Sequence, residues 1–113
     1  MQTLYKAIAR SLGGRDGHVE TSDGLMKFDL SVPKSMEGEG RPGATNPEQF
    51  FACAYAAAFG STIHYVANEK KIKLNKVDVT AEVSIGQNVS NEYLLEVELK
   101  IYMPELKNTD ANN

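Results

Sequence analysis

The sequence is short of the groups that most often announce a chemistry. It holds one cysteine, Cys53, so it cannot close an internal disulfide. Two histidines, His18 and His64, joined to that cysteine give no metal-ligand spacing. A net charge of −3 offers no basic footprint for nucleic acid or an anionic membrane surface. No apolar run reads as long enough to span a bilayer, and the first residues lack the charged-then-apolar pattern of a signal peptide. The expected setting is cytoplasmic, without membrane contact and without a cofactor. Repeats and low-complexity segments are also absent.

What is present is an ordinary globular composition: 113 residues, 42% hydrophobic and 24% charged, enough for one domain with a modest core. The chain is organised around Thr45 to Phe59. Asn46 is a good helix N-cap, Pro47 suits the first helical position, and Gln49 completes a loose capping box. Glu48 lies in the first turn, where the helix dipole favours a carboxylate. From Phe50 to Phe59 no residue is charged. A helix over about 46–70 follows, apolar all round and therefore expected to be buried on all sides, with strands wrapped about it.

Before this helix the pattern predicts a three-stranded meander. Leu4 to Leu12 alternates loosely, Gly13-Gly14-Arg15-Asp16-Gly17 turns, His18 to Thr21 restarts, Ser22-Asp23-Gly24 turns again, and Leu25 to Val32 alternates as a third strand. Pro33 to Ala44 is a long loop rich in glycine and proline, of the kind that is often functional or mobile. After the helix, residues 77–85 and 93–101 alternate cleanly and predict an antiparallel hairpin, with Val77, Val79, Ala81, Val83 and Ile85 inward. The end, from Met103-Pro104 to Asn113, carries Thr109 or Asp110 as a helix cap with no helix behind it. It reads either as a chain with residues missing or as a frayed polar tail. The fold class is α+β.

The chemistry-bearing residues are few. Arg15, in a glycine-rich turn, reads as a solvated loop residue or as an arginine delivered to a site, with Glu48 as its bidentate partner. Cys53 reads as a buried, inert thiol; burial raises a thiol pKa, and a position more than a turn into the helix gains little from the dipole. His64 is expected to pack half-buried, too far along the helix to activate Cys53, and His18 to sit on the surface at a strand end. Phe50, Phe51, Tyr55 and Phe59 are expected core aromatics, with an apolar ligand pocket as a second reading. By themselves these residues name no reaction.

Several motifs together do suggest a family. Gly13-Gly14-Arg15-Asp16-Gly17, Ser31-Val32-Pro33, and Ala44 to Ala52 followed by Ala54-Tyr55-Ala56-Ala57 resemble, in register along the chain, the organic hydroperoxide resistance branch of the Ohr/OsmC family. The resemblance implies an intertwined homodimer in which antiparallel sheets wrap a long central helix. It implies a thiol peroxidase that reduces organic hydroperoxides, lipid ones included, to alcohols, with a lipoyl-type dithiol as reductant. It assigns the reactive arginine to Arg15 and its glutamate partner to Glu48, which would hold the thiolate charged and orient the peroxide. The thiolate attacks the distal oxygen, an alcohol leaves, and the sulfenic acid closes into a disulfide with a second cysteine.

The sequence departs from that pattern twice. The family's peroxidatic cysteine falls ten residues after the glutamate, where this chain has Ala58. The resolving cysteine lies in a Cys-Pro-Tyr-type segment past the family's last helix, which this chain does not reach; the expectation is a single domain, residues 1–113, without that C-terminal helix and strand. Cys53 is five positions before Ala58, about 140° around the helix, and points elsewhere. The chain as it stands is therefore expected to be an inactive form of the enzyme. The alternative is a non-catalytic relative that binds apolar ligands.

Overall fold

The computed structural model describes residues 1–74 and 76–104. The chain divides into two compact units, Met1–Pro47 and the residues from Glu48 on.

In the first unit three antiparallel strands run in sequence order: β1 (Ala9–Leu12), β2 (His18–Thr21) and β3 (Lys27–Asp29). The meander is as the alternation predicts, but its outer strands are shorter. β1 starts at Ala9 rather than Leu4, with pairing carried one residue further back by the Ser22 N–H on the Ile8 carbonyl. β3 ends at Asp29 because the chain there leaves the ladder: Leu30 makes an isolated parallel bridge to Thr45 instead. The turn between β2 and β3 is closed by Asp23, whose carboxylate accepts the Leu25 N–H and the Thr21 hydroxyl. Those two donors hold the carboxyl below its ordinary pKa, the Leu25 amide most.

In the second unit α1 spans Pro47–Glu69, within a residue of the predicted bounds. Proline starts it directly after Asn46, where its missing N–H costs nothing. Its C-terminus is a Schellman motif: the Ile72 N–H reaches the Ala67 carbonyl at 2.8 Å and the Lys71 N–H the Asn68 carbonyl at 3.1 Å. Lys71 adopts the left-handed φ of 58° that this closure needs. Ala67 is the one buried residue of the helix.

β4 (Asp78–Gln87) and β5 (Tyr93–Tyr102) form the expected hairpin, in a ten-pair register running from Asp78 opposite Tyr102 to Gln87 opposite Tyr93. The loop between them is built on Asn88, whose side-chain oxygen accepts the N–H groups of Ser90 and Glu92. Val79, Ala81, Val83 and Ile85 are half-buried while the alternate β4 residues are exposed, so the inward face is the predicted one. Gly60 of α1 lies against this face: a Cβ built there would meet Val79 Cγ2 at 3.8 Å. On the outward face Glu82 opposes Glu98, and Lys100 offsets that repulsion by pairing Glu82 at 2.8 Å.

Two expectations need correction. Among the described residues the helix is not buried: Ala67 is its one buried residue, and the contact seen with the sheet face is on the Gly60 side. By length and hydropathy it also meets the measure of a bilayer span, which reading unbroken apolar runs missed. The helix cap expected at Thr109 or Asp110 lies outside the described residues.

The helix terminus yields a direct test. Lys71→Gly removes the Cβ that disfavours the left-handed conformation and should stabilise the fold by about 0.5–1 kcal/mol. The readout is a higher urea midpoint at unchanged slope.

Candidate functional site

Arg15 stands in the N-terminal unit on a single 3-10 turn, Gly14–Asp16. Gly13 and Gly14 enter the turn at φ of 84° and 59°, values that suit glycine. Gly17 leaves it against the chain: a Cβ there would fall 1.7 Å from the Leu12 carbonyl oxygen. Only glycine fits, which fixes how tightly the turn can close. Arg15 itself is half-buried.

The turn is tied to residues 30–32. The Leu30 N–H reaches the Gly17 carbonyl at 2.8 Å, and the Val32 N–H reaches Asp16 Oδ1 at 3.0 Å. From the other side the loop after Pro33 closes on the same strip. Arg41 donates its guanidinium to the Leu30 carbonyl at 2.7 Å and its backbone N–H to the Ser31 hydroxyl at 3.0 Å, and the Gly40 N–H reaches the Val32 carbonyl. Leu30 and Ser31, 2% and 5% exposed, are the best-buried residues of this unit. The loop expected to be mobile is thus laced along its length. Sequence reading missed Asp16 and Arg41; the signal available was a short acceptor directly after Arg15 and a lone cation between glycine and proline.

Glu48 and Ala58 belong to the second unit and share one side of α1. Ten residues place them about 80° apart around the axis and about 15 Å apart along it. Phe51, Tyr55 and Phe59 run through the same region as a stacked ladder, with ring centroids 5.7 and 6.5 Å apart. The Thr62 hydroxyl donates to the Ala58 carbonyl at 3.2 Å. Two expectations fail here. Phe51 and Tyr55 are 42% and 40% exposed rather than core residues, and Cys53 is exposed rather than buried. The reason is the same for all three: among the described residues nothing covers these sides of the helix. His64 is half-buried, as expected, in a shallow hollow of about 460 Å³ lined also by Ser61, Lys76 and Asp78.

His18 is more than a surface residue. Its Nδ1 lies 3.0 Å from Asp29 Oδ1 across the β2–β3 ladder, and its Nε2 lies 3.3 Å from Glu20 Oε1. Only the doubly protonated ring can donate to both carboxylates at once, so this arrangement selects the cation. Its pKa is raised above 6.5, chiefly by the Asp29 hydrogen bond, against a smaller opposing effect of desolvation. Among the described residues no group of His, Cys, Asp or Glu is placed to hold a metal ion.

Residues 38–112 match the model of the OsmC-like protein family. The organic hydroperoxide resistance protein of Xanthomonas axonopodis pv. citri is 40% identical over 104 residues, covering 91% of this chain and 72% of that protein. Among solved structures, an organic hydroperoxide resistance protein, OsmC, from Legionella pneumophila superposes with a TM-score of 0.88 at 48% identity, over 98% of this chain and 80% of that one. The protein OhrB of Bacillus subtilis gives a TM-score of 0.85 at 33% identity, over 97% and 80%.

The His18 contacts set a pH dependence. A partner-raised imidazolium stabilises the fold fully below pH 6.5, its ordinary value, and loses that contribution as the pH rises through the higher folded value. His18→Gln should therefore lower the melting temperature below pH 6.5 and leave it unchanged well above, in thermal melts across that range. The effect is small, since the three side chains face solvent.

Proposed function

The chain belongs to the organic hydroperoxide resistance branch of the OsmC-like family, and from that premise we propose that it carries the framework of a Cys-based organic hydroperoxide peroxidase whose nucleophile position is Ala58. The observation that carries this reading is the joint presence of the Gly-Gly-Arg turn and the Asn-Pro-Glu-Gln helix start, with Glu48 and Ala58 on one side of α1.

In this reading Glu48 orients the Arg15 guanidinium in a two-pronged ion pair, and the arginine supplies positive charge where a thiolate and a peroxide oxygen meet. With a thiol at position 58, the thiolate attacks the distal peroxide oxygen. The O–O bond breaks, the alkoxide takes a proton and leaves as alcohol, and the sulfur becomes a sulfenic acid. A second thiol condenses with it, releasing water and forming a disulfide, which a lipoyl-type dithiol reduces. Ala58 offers a methyl group in place of the sulfur, so this chain binds and orients a hydroperoxide without reducing it. The stacked ladder of Phe51, Tyr55 and Phe59, its first two rings exposed and its third half-buried, favours the second reading, a protein that retains apolar ligands without turnover.

The protein is read as a cytoplasmic homodimer. A helix of this hydropathy with one buried residue needs a cover. β5 adds to that need, with Tyr93, Leu95, Val97 and Ile101 exposed. Each apolar side chain taken from water contributes about 1.5–3 kcal/mol. A second copy provides that cover with a charged exterior, whereas a lipid surface would meet the carboxylates of Glu48 and Glu69 at both ends of the helix.

Ala58→Cys, made together with a C-terminal segment bearing a resolving cysteine, should give dithiol-dependent consumption of an alkyl hydroperoxide, where the unaltered chain gives none. In that background Arg15→Ala should lower kcat/KM by about 100-fold. No turnover in the restored protein leaves the ligand-binding reading in its place. Sedimentation at micromolar concentration should find a dimer, with an interface above about 2,000 Å²; a monomer overturns the homodimer.

A further inference from the structure

We propose that Asp16 is a positioning residue for Arg15, holding the arginine turn in place by accepting the Val32 N–H; this rests on the reading of Arg15 as the charge partner of position 58. The turn leaves β1 through two successive glycines at positive φ, Gly13 and Gly14, which define its direction but contribute no side chain to hold it. Among the bonds from the turn to the strip after β3 are a backbone tie and a side-chain tie. One, from the Leu30 N–H to the Gly17 carbonyl at 2.8 Å, fixes the turn at its exit, two residues beyond Arg15. The other, from the Val32 N–H to Asp16 Oδ1 at 3.0 Å, acts on the neighbouring residue itself. A single tie at Gly17 is a pivot; the second tie removes rotation about it.

The far end of this tie is firm. The Val32 carbonyl is engaged by the Gly40 N–H at 2.9 Å, and Ser31 before it is buried and engaged by Arg41 and by the Thr45 carbonyl. Asp16 therefore couples the backbone of Arg15 to the least exposed strip of its unit. What the bond requires is an acceptor at the Oδ1 position, not a charge. An amide supplies the same acceptor, and alanine supplies none.

The test uses the full chain carrying Cys53→Ser and Ala58→Cys, so that the introduced thiol is the only one. Its apparent pKa is read from the pH dependence of alkylation by iodoacetamide, and exchange of the Val32 amide is followed in the same proteins. Adding Asp16→Ala should raise the thiol pKa by about one unit, toward the value set by Arg15→Ala. It should also speed Val32 exchange by about tenfold or more. Asp16→Asn should restore both. If Asp16→Ala does not fold, Asp16→Glu, which displaces the acceptor by one methylene, is read in the same way.

Faster exchange with an unmoved thiol pKa overturns the proposal alone, since the tie would then serve the loop and not the arginine. Unchanged exchange, or a failure of Asp16→Asn to restore both readouts, also overturns it. If Arg15→Ala leaves the thiol pKa where it was, the reading of Arg15 falls, and this proposal falls with it.

Discussion

Residues Leu30, Ser31 and Val32 carry a constraint on which the N-terminal unit depends: once the chain leaves β3, each of their backbone groups has to find a partner outside the sheet. Leu30 donates its N–H to the Gly17 carbonyl and accepts from Arg41 on its own carbonyl; Ser31 donates its N–H to the Thr45 carbonyl; Val32 donates its N–H to Asp16 and accepts from the Gly40 N–H. A buried backbone group left without such a partner costs about 1–3 kcal/mol. Three segments are thereby drawn onto one strip: the arginine turn about fifteen residues upstream, the glycine-rich loop that follows the strip, and the residue that precedes the cap of α1. The loop's high glycine content is what lets it approach so closely. A Cβ at Gly38 would fall 2.2 Å from the Val32 carbonyl oxygen.

Much of this architecture was legible in the residues because the relevant signals are local. Period-two alternation placed the hairpin to within two residues at each end, and Asn46-Pro47 set the helix start. The lacing around Leu30 to Val32 was not legible, since it depends on a side-chain acceptor meeting an amide sixteen residues away. His18 sits at a strand end on the surface, as expected, but its partner was not legible for a similar reason: Asp29 lies eleven residues on and becomes its neighbour only through the β2–β3 register. The motif residues Arg15, Glu48 and Ala58 were found by pattern, and the structure adds which elements bear them.

The exposure of Cys53, Phe51 and Tyr55 shows where sequence reasoning meets a limit of a different kind. The rule that an all-apolar helix is covered concerns the assembled protein, while burial here is a property of one chain. The distribution around the helix still carries information. Cys53 lies about 140° from Ala58, so the only thiol of the chain is on another side of α1 from the position where the family pattern calls for one. A sulfur moved by five residues along a helix is thus no substitute for one removed.

The hairpin has a kinetic consequence. Its ten pairs all close over the five-residue connection between Gln87 and Tyr93, so loop-closure entropy is small at the first rung and little is added at each later one. A ladder of such low contact order zips within about 1–10 µs, long before a ribosome adding about 5–20 residues per second delivers one more amino acid. Tyr93, Leu95, Val97 and Ile101 are therefore presented as a finished apolar row on the nascent protein, and the interval until something covers them is when it is most open to aggregation or to capture by a chaperone.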